Sequence, residues 1–115
     1  MSSKKNPLNL NALQLKTLAI LQELATLEDW SRRDEASGEA TIVALPHPHG
    51  DHFHVGRKVV LSRDANGLSN PGVWKALERK GLAKGAVFPH QLTLTPAGEG
   101  YDTGSVGTIL HGSDH

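Results

Sequence analysis

Cysteine is absent from this 115-residue chain, which excludes disulfides and thiolate metal sites. A chain without cysteine tolerates any redox compartment, so composition leaves that open. Net charge is absent as well: twelve Lys and Arg balance twelve Asp and Glu, whereas an indiscriminate nucleic-acid binder is expected to be strongly basic. No apolar run approaches the roughly 20 residues that span a bilayer. The opening Met1-Ser2-Ser3-Lys4-Lys5-Asn6-Pro7 lacks the apolar stretch and cleavage site of a secretory signal. The expected location is therefore cytoplasmic, with no membrane partner. There is no Gly-rich phosphate loop, no serine nucleophile elbow and no internal repeat, so the expectation is a binding protein and not an enzyme.

The length suits one domain, 1–115, large enough to fold on a hydrophobic core without staples. The balanced charge conceals an asymmetry. Glu23, Glu28, Asp29, Asp34, Glu35 and Glu39 outnumber Arg32 and Arg33 by four, while Arg57, Lys58, Arg63, Lys75, Arg79, Lys80 and Lys84 outnumber Asp64 and Glu78 by five. A phosphate backbone responds to local charge. Solvated faces of ordinary helices would look the same.

Asn11-Ala12-Leu13-Gln14 has the form of a capping box, with Leu10 and Leu15 placed as a hydrophobic staple. Leu13, Leu18, Ile20, Leu21 and Leu24 then recur near helical period, which predicts a helix over about 12–27. Residues 28–39 are polar and read as a loop. Ala40 to Leu45 reads as a strand ended by Pro46, with His52-Phe53-His54-Val55 returning beside it. In that returning strand Phe53 and Val55 face the core and His52 and His54 face outward. Arg57 to Ala65 is ambiguous: Val59-Val60-Leu61 suits a strand, while the residues after Leu61 favour a short helix ending at Asn66-Gly67. Asn70-Pro71 starts a helix that Gly81 stops near residue 80. Gln91 to Thr95 alternates as a strand, and Pro96-Ala97-Gly98-Glu99 opens a last helical turn. An arm over 1–10 and a tail over 104–115 are expected to be loosely ordered.

Taken from residue 57, a helix, a glycine turn and a capped helix make a helix-turn-helix. Gly67 supplies the free backbone of the turn, and Leu68 plugs the angle between the helices. Val73 and Ala76 stand where the second helix needs a branched apolar and a small residue. Arg63 breaks the pattern where a small residue is usual. Leu77-Glu78-Arg79-Lys80-Gly81-Leu82 and Leu94-Thr95-Pro96-Ala97-Gly98 together resemble winged-helix transcriptional regulators over residues 57–100. The resemblance implies an α+β winged helix with a three-helix core, a β-hairpin wing and an extra hairpin at about 40–56. It also implies a DNA-binding regulator. On this reading Asn70 and Lys75 reach base edges, and Arg63, Arg79 and Lys84 hold phosphates. The alternatives are a protein-interaction module, or a small metal-binding protein without DNA binding. The long terminal dimerisation helix of many such regulators is missing, so a homodimer would need another surface.

His47-Pro48-His49-Gly50-Asp51-His52-Phe53-His54 places four of the seven histidines and an acid within one short segment. Imidazole and carboxylate ligands suit a divalent metal such as zinc or nickel. The candidate ligands are His47, His49, Asp51, His52 and His54, with His111, Asp114 and His115 able to complete a shell. The same letters match the metal motif of the metallo-β-lactamase fold, which needs a much longer chain. A polar hairpin tip is the plain alternative.

Overall fold

A computed structural model describes residues 6–104 and 109–112. The first element is helix α1, Ala12–Ala25, and its start agrees with the sequence reading: Asn11 Oδ1 accepts from the Gln14 amide at 2.8 Å, and Gln14 Oε1 accepts from the Asn11 amide at 2.9 Å. Asn11→Ala removes the side-chain half of this box and is expected to lower stability by about 1 kcal/mol, measured by urea denaturation. The helix is not covered on one stripe only. Thr17, Leu18, Ala19, Ile20 and Leu21 are buried consecutively, because α1 touches elements of both sheets as well as the second helix.

Among the described residues the strands form two antiparallel sheets of four. In the first, β1 (Ser31–Asp34), β2 (Glu39–Ile42), β7 (Gln91–Leu94) and β6 (Ala83–Val87) lie in that order. In the second the order is β3 (Pro48–His49), β4 (His52–Val55), β5 (Lys58–Leu61) and β8 (His111–Gly112). Ala40, Ile42, Leu92 and Leu94 of the first sheet and Val55 and Val60 of the second close one core around α1. Trp74 and Leu77 join it from helix α2, Pro71–Arg79. Asn70 caps α2 by accepting from the Gly72 amide at 2.9 Å. The helix stops as expected: Gly81 has a φ of 79°, its amide donates to Glu78, and the Leu82 amide donates to Leu77. The short helix α3, Pro96–Gly100, comes after β7.

The winged-helix expectation is overturned. Residues 58–61 are not the helix before a turn but strand β5, laddered to β4 with Val55 opposite Lys58 and His52 opposite Leu61. Only 3-10 turns, Ser62–Asp64 and Asn66–Ser69, separate β5 from α2. Two β-branched residues beside a ready partner strand outweigh the helical tendency of the residues after Leu61. Gly67 is not a left-handed turn residue either. A Cβ there would fall 1.8 Å from Thr17 Oγ1, so the glycine lets the second turn close against α1. Nor do residues 40–56 make one hairpin, since β2 pairs with β1 and β7 while β4 pairs with β3 and β5. The polar segment expected to be a loop contributes β1. It is an edge strand exposing Arg32, Arg33 and Asp34, charges that discourage edge-to-edge pairing.

The segment ahead of α1 is held from Asn6 onward. The Asn6 amide side chain exchanges hydrogen bonds with the Leu10 backbone, and the Tyr101 hydroxyl donates to Asn6 Oδ1 at 2.7 Å. Among the described residues no helix is long and apolar enough to cross a membrane.

Candidate metal centre

The histidine segment is a tight hairpin. His49 pairs with His52 across Gly50 and Asp51, and Pro48 pairs with Phe53. Gly50 takes a φ of 74° whereas Asp51 does not have positive φ, the two-residue loop type that needs glycine first. Cross-strand partners share a face and neighbours alternate. The register therefore puts His49, His52 and His54 on one face, and Pro48, Phe53 and Val55 on the other. Val55 is fully buried and Phe53 packs against the core, so the imidazoles are left on the outer face.

The three rings gather there. Ring centroids of His52 and His54 lie 4.9 Å apart, those of His49 and His54 5.1 Å, and those of His49 and His52 5.9 Å. One nitrogen from each of the three lies within 4.8 Å of the others. His52 Nε2 and His54 Nε2 are 3.3 Å apart. A tetrahedral zinc ion with Zn–N bonds of about 2.0–2.1 Å needs its nitrogens about 3.4 Å from one another. The His52–His54 pair already has that spacing. His49 reaches it with an inward shift of roughly 1.4 Å at most, which a side-chain rotation at the exposed end of a hairpin provides. The residues fit the ion.

Asp51 is the fourth member of the group but not at the same position. Its Oδ1 lies 3.2 Å from His52 Nδ1. An acceptor there favours the tautomer with hydrogen on Nδ1 and leaves the Nε2 lone pair toward His54, the usual outer-shell arrangement of a metal-bound imidazole. Arg63, with Asp51, Leu61 and Ser62, borders a shallow depression beside the group.

His47 is separated from the trio. It lies beyond the paired part of β3 and lines an apolar cavity with Pro48 and Phe53, on the reverse of the hairpin. His111 shares the outer face, since Val59 pairs with both His54 and His111, but it stands two strands from His54, about 10 Å away. Asp114 and His115 lie outside the described residues.

The residues assigned to DNA are dispersed in role. Lys75 and Arg79 lie on α2, Lys75 exposed, and Arg63 is exposed near Asp51. Asn70 is occupied as the helix cap. Lys84 Nζ contacts Glu39 Oε2 at 2.6 Å, Lys58 Nζ contacts Glu23 Oε1 at 3.4 Å, and Lys80 Nζ donates to the Leu8 carbonyl at 2.7 Å. The acidic and basic windows of the sequence thus fold against each other through Glu23 and Glu39, which reduces the field that the basic window presents.

The two sequence patterns behind the resemblance also meet. The Thr95 amide donates to the Leu82 carbonyl at 3.1 Å, and Thr95 Oγ1 donates to the Gly81 carbonyl at 2.8 Å. Their shared role here is to dock β7 and α3 onto the end of α2. What sequence reasoning missed is the apolar cavity behind the hairpin, whose wall includes Pro89 and His90. No signal in the hairpin segment itself points to the distant turn that supplies them. Comparison with family models, curated proteins and solved structures found no match.

Proposed function

We propose that this chain is a small metal-binding protein that holds one divalent ion, zinc or nickel, through His49, His52 and His54, with Asp51 orienting His52. The observation that carries the reading is the 3.3 Å separation of two imidazole nitrogens on adjacent outward positions of one strand, with a third imidazole opposite. Three neutral nitrogen donors suit zinc and nickel, and leave a further coordination position to solvent or an added ligand. The group sits on an open sheet face rather than at the base of a cleft, which suits binding and exchange better than hydrolysis.

The DNA reading has less under it. It depended on a helix at 57–66, where the chain forms β5, and on a basic window partly neutralised by Glu23 and Glu39. One experiment separates the two. Calorimetric titration of metal-free protein with zinc and with nickel is expected to show one equivalent bound with a dissociation constant on the order of 1 µM. Duplex DNA added to the same protein at two salt concentrations is expected to show no steep salt-dependent binding. Absence of saturable metal uptake overturns the proposal. Tight, strongly salt-sensitive DNA binding by protein that takes up no metal would establish the nucleic-acid reading in its place.

A further inference from the structure

The hairpin has a second face, and behind it lies a cavity of about 350 Å³. Leu45, Pro46 and Phe53 wall it from one side, and Ala65 and Leu68 wall it from the side of the 3-10 turns. Pro46, Ala65 and Leu68 are buried and belong to the fixed body of the molecule. Among the described residues its polar side chains are His47, His90 and Ser69, all three exposed. A second depression of about 240 Å³ continues from the same rim, sharing Leu45, His47, Pro89 and His90. Small-molecule sites have this composition, an apolar interior and a few convergent polar groups.

The size and the rim restrict the occupant. An apolar cavity of roughly 150 Å³ holds benzene, so about 350 Å³ suits a fused two-ring system. Pro46, Pro48, Pro89 and Phe53 all line it, and such ring side chains favour a planar aromatic guest over a branched aliphatic one. Among the described residues no carboxylate and no Lys or Arg lines the cavity. An ammonium group would find no counter-charge among them, and imidazole, which can carry positive but not negative charge, complements an anion better than a cation. A carboxylate would find hydrogen-bond donors in the imidazole N–H groups and the Ser69 hydroxyl.

We propose that this cavity is a binding site for a bicyclic aromatic carboxylic acid, its rings between Phe53 and Leu68 and its carboxylate toward His47 and His90. The site is separate from the metal centre, because His47 is the one histidine of the cluster that faces away from the trio. Phe53 connects them only through the backbone, standing between His52 and His54 in β4.

The test uses 2-naphthoate with the full chain in the presence of EDTA, so that the metal reading and this one can fail independently. Saturable binding is expected, with a dissociation constant on the order of 100 µM. Methyl resonances of Ala65, Leu68 and Leu45 should shift in isotope-labelled protein. Ala65→Phe fills the cavity and should weaken binding at least tenfold. His47→Ala combined with His90→Ala changes only exposed side chains and should weaken it at least threefold, which keeps the test decisive if the filled variant does not fold. 2-Naphthylmethylammonium should bind at least tenfold more weakly than 2-naphthoate. No saturable binding, shifts confined to another surface, or equal affinity for the acid and the amine would each overturn the proposal.

Discussion

Replacing His52 and His54 together by glutamine is expected to weaken zinc binding by more than a hundredfold, while His47→Ala leaves it within about twofold. The two changes alter the same short segment and both replace imidazoles, so the contrast isolates geometry from composition. His52 and His54 point from alternate positions of β4 to one spot, with their Nε2 atoms 3.3 Å apart. His47 lines the cavity on the reverse side. Glutamine keeps a polar side chain of similar length on the outward face and leaves the pairing of β4 with β5 in place. Circular dichroism checks that the fold survives. Asp51→Ala should fall between the two, losing about tenfold, because it frees His52 to turn without removing a ligand. Equal losses for His47 and for the pair would mean that uptake tracks histidine content instead of the trio.

Gly98→Ala, which adds a methyl directly against backbone, is expected to cost about 3 kcal/mol or more and to lower the melting temperature by on the order of 15 °C. A Cβ at Gly98 would lie 2.0 Å from the Leu82 carbonyl oxygen and 2.9 Å from its carbon. That carbonyl is held in place by the Thr95 amide, and Gly98 is itself fixed by Thr95 Oγ1, which accepts from its amide at 3.0 Å. The Gly98 carbonyl in turn accepts from Gln22 of α1 at 2.9 Å. Backbone on both sides leaves nothing soft to give way. Gly100→Ala in the same short helix is the matched control: nothing lies within 4 Å of its added Cβ, and alanine favours the helix. It should be neutral or slightly stabilising. Thermal melts of the two variants side by side would refute the account if they shifted alike.

The parts of the fold that could be read from the chain are those governed by a few neighbouring residues. Asn11 with Gln14, Asn70 with Pro71, and Gly81 with Leu82 each satisfy helix-end groups within five residues, and each stands where expected. The outward placement of His52 and His54 was equally legible, because a strand alternates and Phe53 and Val55 claim the inner face. Strand β1 was not. Ser31-Arg32-Arg33-Asp34 has no apolar alternation, and it is extended because β2 offers it a partner, Ser31 opposite Ile42 and Asp34 opposite Glu39. Strand β5 is a miss for the same reason: the sequence favours a helix from residue 57, but Val59-Val60-Leu61 takes whichever form its neighbour rewards, and β4 is beside it.

The two glycines at the tightest contacts show the difference most directly. Gly67 and Gly98 each fitted a local role in the sequence, a turn and a motif end. Each is instead required by an atom far along the chain, Thr17 Oγ1 and the Leu82 carbonyl. The charge windows behaved alike, separated in sequence but joined in space by Glu23 with Lys58 and Glu39 with Lys84. The amino-acid sequence alone determined where α1 begins, where α2 begins and ends, and which side of β4 carries imidazole, because hydrogen bonds and steric alternation there act over a handful of residues. Tertiary structure decided which strands pair, which glycines are indispensable, and that His49 joins the trio while His47 does not. Those outcomes depend on surfaces brought together from distant parts of the chain, whose contact energies no local window contains.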